Sequence, residues 1–147
     1  MSSTLSLHHI VFNTYRRENT ISAENEEALY RYIWNILKGN NCTLIRIGGI
    51  ENHIHLLVDI HPSISLANLI AEIKRKTSYW MKRSGLFPHF KGWAKEYFAF
   101  SKSQEQKDVV INYIKNQKQH HKGVVYDEEI KMMVVSEGLA WEDICLS

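Results

Sequence analysis

Short β-branched and aromatic runs alternate with amphipathic stretches in the order βαββαβ, a further helical segment follows, and turn residues separate the elements. These observations predict an α+β fold of ferredoxin-like, or RRM-like, type: an antiparallel sheet with helices on one face plus a C-terminal helix. The other sheet face is then free for a site.

Residues 7–15 carry the first strand, ended by the charged turn Arg16-Arg17-Glu18-Asn19. Asn25 can cap the first helix, in which Ala28, Leu29, Tyr32, Ile33, Ile36 and Leu37 recur at helical spacing until Gly39-Asn40-Asn41 stops it. Residues 43–47 read as a second strand, Gly48-Gly49 as a tight turn, and residues 53–60 as a third strand antiparallel to the second. His61-Pro62-Ser63 breaks that strand, and Ser65 can cap a long helix whose apolar face is Leu66, Leu69, Ile70, Ile73, Thr77, Trp80 and Met81. Residues 86–95 form an aromatic and basic loop, residues 97–101 a fourth strand, residues 104–121 one helix, and residues 127–137 a terminal acidic helix.

A chain of 147 residues suits one domain. No apolar run approaches the roughly 18 residues of a membrane span, and the start lacks the pattern of a secretion signal, so a cytoplasmic protein without a membrane partner is expected. Cys42 and Cys145 stand far apart with no CxxC spacing and read as free thiols, which excludes an all-cysteine zinc site within one chain. The net charge of +2 hides a strong asymmetry: residues 1–73 sum to −2, residues 74–122 to +9 and residues 123–147 to −5. A basic block of this kind favours a polyanionic partner, against the plainer reading of a solvated helix face.

Two motifs carry chemistry. In Glu51-Asn52-His53-Ile54-His55-Leu56-Leu57-Val58 the alternation of a strand points His53 and His55 the same way, and two neutral imidazoles on one face can hold a divalent cation. Taken alone, such a pair is more often two half-exposed strand histidines, and it needs a further ligand to complete a shell. In Val109-Val110-Ile111-Asn112-Tyr113-Ile114-Lys115-Asn116-Gln117 a phenol and a carboxamide lie one helical turn apart, so both can reach the same point. Tyr113 could instead be a core tyrosine; His120 and His121, a turn further on, are secondary candidate ligands.

Together and in this order, the two motifs resemble those of the IS200/IS605-type tyrosine (Y1) transposases of insertion sequences, single-strand DNA enzymes of the HUH nuclease superfamily. His53-Ile54-His55 matches their His-hydrophobic-His signature, Tyr113-Ile114-Lys115-Asn116-Gln117 their Tyr-x-x-x-Gln helix, and His9-Ile10-Val11-Phe12 fits their first strand. The likeness covers about residues 5–121 of a single transposase domain spanning 1–147, with the acidic tail 123–147 outside the shared motifs. It implies that His53, His55 and Gln117 hold Mg²⁺ or Mn²⁺ and that Tyr113 is the nucleophile. It also implies cleavage and rejoining of single-stranded DNA through a 5′-phosphotyrosine, DNA hairpins at the element ends as partners, and a homodimer whose tyrosine helix can complete the partner's site.

Tyr113, with a free pKa near 10, would need the cation or a lysine such as Lys115 or Lys118 to become phenolate. The basic helix and loop supply candidate DNA contacts, Lys74, Arg75, Lys76, Lys82, Arg83, Lys91 and Lys95, interleaved with Trp80, Trp93, Tyr97, Phe98 and Phe100, although core packing is expected for most of Trp80, Phe98 and Phe100. Three rivals remain at this level. A relaxase or replication initiator shares the chemistry but usually adds domains, a non-catalytic RRM-like binder would need an aromatic pair on the central strands, and a metal-dependent hydrolase leaves Tyr113 idle.

Overall fold

A computed structural model describes residues 2–139 of the protein. Its elements are β1 (Leu7–Asn13), α1 (Glu26–Gly39), β2 (Thr43–Ile50), β3 (His53–Asp59), α2 (Leu66–Ser84), β4 (Phe98–Lys102), α3 (Lys107–Lys115), α4 (Gln117–His120) and α5 (Tyr126–Ser136), with short 3-10 turns before α1 and α3. The strands form one sheet in the order β2-β3-β1-β4, each pair antiparallel, which is the α+β ferredoxin-like arrangement expected from the element order. Cys42 is buried and free, whereas Cys145 lies outside the described residues.

Strand alternation divides the sheet into two chemically distinct faces. Ile10, Phe12, Ile54 and Leu56 point to one side, where Leu29 and Ile33 of α1 and Leu69 and Ile73 of α2 bury them in the main core. Val11, His9, His53, His55 and Leu57 belong to the other side by the same alternation. That second face is not open. Val110 and Ile114 of α3 pack on Leu57, while Tyr126, Ile130 and Val134 of α5 pack on Val11, Phe98 and Phe100. The acidic tail thus supplies an apolar helix face that closes the sheet over the two histidines.

Several local expectations change. Gly48-Gly49 does not turn the chain: β2 continues to Ile50, and the turn falls on Glu51-Asn52. The glycines instead permit close approach, since a Cβ on Gly48 would stand 2.8 Å from the Ile114 carbonyl oxygen and one on Gly49 would stand 2.2 Å from that of His53. Ser65 caps α2 by accepting from the Asn68 N–H at 3.0 Å, but Asn25 does not cap α1, and its amide donates to the Leu86 carbonyl at 3.1 Å. The expected single helix over residues 104–121 is broken at Asn116, whose φ of −97° and ψ of 18° leave the helical region. Tyr113 and Gln117 therefore sit on successive short helices.

Replacing Gly48 with Ala should lower unfolding free energy by about 1–3 kcal/mol, because the Ile114 backbone has to give way. The helix-end change Gly39→Ala, with open space around it, should be within about 0.5 kcal/mol of wild type. Urea denaturation of both variants measures the difference, and equal stabilities would contradict the close approach of α3 to β2.

Candidate active site

The side chains singled out in the two motifs meet at one point within a single chain. His53 and His55 are 0% exposed and Gln117 is 1% exposed, beneath α3, α4 and α5. The Gln117 Oε1 atom lies 3.0 Å from His53 Nε2. The Tyr113 ring stands 5.6 Å from that of His55, and its hydroxyl points into the same cluster.

At the centre is a residue that the motifs do not contain. Glu129 of α5 is 1% exposed and its carboxylate gathers the site. Oε2 accepts from the Tyr113 hydroxyl and, at 2.8 Å, from the Gln117 amide. Oε1 lies 2.8 Å from His121 Nε2 and 3.1 Å from His53 Nε2, while Oε2 is 3.4 Å from His55 Nε2 and 3.7 Å from His120 Nε2. Helical spacing was the signal for it: Glu129 follows Tyr126 by three residues, on the face that Ile130, Met133 and Val134 share.

The outer contacts fix which ring nitrogens face inward. His53 Nδ1 is 2.8 Å from the Asn52 Oδ1 acceptor, and His55 Nδ1 is 2.8 Å from Nε2 of His9, a buried β1 residue on the same sheet face. Both histidines therefore turn Nε2 toward Glu129, in the way outer partners orient metal-binding imidazoles. Asn13, the third β1 residue of this face, accepts at 3.2 Å from the hydroxyl of Tyr126, whose ring lies 4.5 Å from that of His53.

The electrostatics of this cluster are unbalanced without a cation. Burial lowers the pKa of His53 to about 4, against the raising influence of Glu129, so its imidazole is neutral near pH 7. Burial also lowers that of His9. Burial pushes the Glu129 carboxyl up, but the imidazoles of His121, His53 and His55 around it outweigh burial and hold its pKa below the ordinary carboxylate range. With Nδ1 committed to Asn52, the His53 Nε2 lone pair faces two oxygens, Gln117 Oε1 and Glu129 Oε1. His55 Nε2 is buried with no hydrogen-bond partner. Lone pairs of nitrogen and oxygen converging in a dry site suit a divalent cation, and one ligand atom from each of His53, His55 and Glu129 lies within 4.8 Å of the others.

The sequence model described as transposase IS200 like matches residues 2–117. This chain belongs to the IS200-like transposases. Among solved structures, a candidate transposase from Deinococcus radiodurans R1 is similar over 80% of this chain and 95% of its own, with 20% identity and a TM-score of 0.62. A REP-associated tyrosine transposase bound to a REP hairpin is similar over 100% of this chain and 91% of its own, with 12% identity and a TM-score of 0.63. At these identities the likeness speaks for the fold. No curated protein matches the chain.

For this IS200-like transposase the remaining sequence expectations divide. Neither lysine serves the phenol: Lys118 pairs with Glu26 at 2.8 Å and the Gly49 carbonyl at 3.1 Å, and Lys115 lines the groove beside β2. Burial first and then Glu129 raise the Tyr113 pKa above its ordinary value. Of the basic residues, Lys74 is engaged internally, donating to the carbonyls of Ala94, Lys95 and Glu96 at 2.9, 3.2 and 2.9 Å, so it fastens the loop rather than offering a free charge. Lys76 pairs with Glu72 at 3.1 Å, Lys91 with Glu18 at 3.4 Å, and Arg83 covers the Tyr79 ring at 3.6 Å. Arg75, Lys82 and Lys95 are exposed, and all of α2 lies on the sheet face opposite His53 and His55. Trp80 stacks on Tyr32, the packing role expected of it, and Trp93 donates to Thr77 and so is a packing residue rather than a free platform.

Mn²⁺ at a hundredfold excess over its Kd should raise the melting temperature of metal-free protein by about 5–10 °C, the equivalent of ~2.7 kcal/mol of linkage. EDTA should reverse the shift and His53→Ala should abolish it. A shift that persists in His53→Ala would move the cation elsewhere.

Proposed function

We propose that this transposase cuts and rejoins single-stranded DNA, with Tyr113 as nucleophile and with Mg²⁺ or Mn²⁺ held by His53, His55 and Gln117. The observation that carries the reading is the convergence of the phenol, the two inward Nε2 atoms and the amide on one buried point. An endonuclease without a nucleophilic side chain has no use for a tyrosine aimed at a metal cluster. A non-catalytic RRM-like binder needs its sheet face open, and here α3, α4 and α5 cover it.

The chain's own residues define the resting state. Tyr113 is held as a neutral phenol, donating to a carboxylate that disfavours a second negative charge beside it. A divalent cation held by His53, His55 and Gln117 would supply positive charge to offset this carboxylate and to polarise the scissile phosphate. In the reaction, the Tyr113 phenol gives up its proton as its oxygen bonds to the 5′-phosphate, the bond from phosphorus to the 3′-oxygen breaks, and that oxygen takes up one proton to become a free 3′-hydroxyl, so the protons balance. The phosphotyrosine conserves the phosphodiester, so a second 3′-hydroxyl can reverse the step without ATP.

Two clefts border the site, one of about 250 Å³ beside Tyr113, His9 and Lys102, and one of about 530 Å³ along β2 that reaches Gln117. A DNA hairpin, the ligand of the REP-associated relative, is the natural substrate form to test. The exposed charges of Arg75 and Lys82 are the α2 residues best placed to meet its backbone from the far side of the sheet.

Incubation with Mn²⁺ and labelled single-stranded hairpin DNA from the flanks of its own gene should give a covalent protein–DNA adduct that Tyr113→Phe abolishes. Cleavage without an adduct would overturn the tyrosine mechanism. Because all four side chains meet within one chain, mixing His53→Ala with Tyr113→Phe protein should restore no cleavage. Recovery of activity on mixing would instead require a site assembled from two chains of a homodimer.

A further inference from the structure

His53, His55 and Gln117 are three neutral ligands, and they leave a doubly charged ion uncompensated in a site whose side chains are almost wholly removed from water. We propose that Glu129 is a fourth protein ligand of this cation, contributed by α5 from beyond the family-matched residues 2–117. This rests on the metal-dependent reading above.

Four observations carry it. The carboxylate is buried, and among the described residues its ion-pair partners are all imidazoles, with no lysine or arginine to neutralise it. Hydrogen bonds with Tyr113, Gln117 and His121 offset part of the cost of burying it, and a cation supplies the compensating charge they lack. Its Oε1 atom lies 3.1 Å from His53 Nε2, the lone pair that Asn52 leaves facing inward. Its position is enforced by packing: Tyr126, Ile130 and Val134 fix α5 on β1 and β4, and Glu129 stands on that same helix face. Finally, the donor chemistry agrees, because a carboxylate oxygen is the hard ligand that Mg²⁺ and Mn²⁺ prefer over a wholly neutral set.

The two oxygens divide the work. Oε1 is the ligand atom, held by His121 at 2.8 Å, and Oε2 accepts from Tyr113 and Gln117. His121 is thereby a positioning residue for the carboxylate, and the same anion that charges the cation's shell also orients the nucleophile. The grouping of His120 and His121 with Glu129 shares this one carboxylate and forms the outer edge of the same centre.

The test is Mn²⁺ affinity, by electron paramagnetic resonance of free Mn²⁺ and by calorimetry, on metal-free wild type, Glu129→Gln and His53→Ala at one pH, with near-ultraviolet circular dichroism to follow folding. Glu129→Gln should weaken Mn²⁺ at least about tenfold, the scale seen when groups supporting a metal are removed, and His53→Ala should abolish binding. If Glu129→Gln does not fold, Glu129→Asp, which keeps the charge but shortens the reach, should still bind several-fold more weakly than wild type. Wild-type affinity in Glu129→Gln, or in Glu129→Asp where that variant has to stand in, with binding lost in His53→Ala, would overturn this assignment alone. Unchanged affinity in His53→Ala would overturn the metal reading beneath it. Unchanged Mn²⁺ affinity with faster DNA cleavage in Glu129→Gln would make the carboxylate an occupant of the phosphate position and would also overturn it.

Discussion

A carboxylate removed from water must be met by protons, cations or donors, and Glu129 imposes that requirement on the whole far face of the sheet. Tyr113, Gln117 and His121 donate or lie within hydrogen-bond reach, and His53 and His55 turn their inner nitrogens toward it. The outer nitrogens are tied in turn by Asn52 and His9. Each side chain has one orientation that suits its neighbours. The side chains are thus held in mutual contact without substrate or ion, as a preorganised site requires.

The fold separates this chemistry from stability. One sheet face belongs to Ile10, Phe12, Ile54 and Leu56 under α1 and α2, an apolar core that owes nothing to the histidines. The other face places His53, His55 and His9 on two adjacent central strands and roofs them with three short helices. Gly48 lets the last residues of α3 rest on β2, which brings Gln117 over His53. The break at Asn116 lies between Tyr113, which meets Oε2 of Glu129, and His121, which meets Oε1. No helix among the described residues is long and apolar enough to cross a membrane.

Element order and motif spacing made the sheet, α1, α2 and the pairing of His53 and His55 with Tyr113 and Gln117 readable from the sequence, because periodicity reports directly on burial. Gly48-Gly49 misled for a physical reason: glycine marks a tight turn and a close backbone approach equally well, and only the position of Ile114 decides between them. Glu129 was hidden by composition. Three consecutive acids in Asp127-Glu128-Glu129 read as a solvated helix start, although the spacing to Tyr126 and Ile130 puts the third on the apolar face. Lys74 was misread in the opposite sense, since a lysine in a basic run gave no sign that three loop carbonyls would engage it. His9 lay in plain view beside Val11, but its role depends on the register that sets β1 against β3, which is a tertiary fact.

On the proposed reading, one divalent cation sits among His53, His55, Gln117 and Glu129 beside the Tyr113 phenol. Anomalous diffraction at the manganese edge, from crystals of the protein grown with Mn²⁺, tests it most directly. The account predicts one strong peak within bonding distance of the Nε2 atoms of both His53 and His55. A protein that binds manganese only elsewhere, or that leaves those two nitrogens without a metal at saturating Mn²⁺, would contradict it.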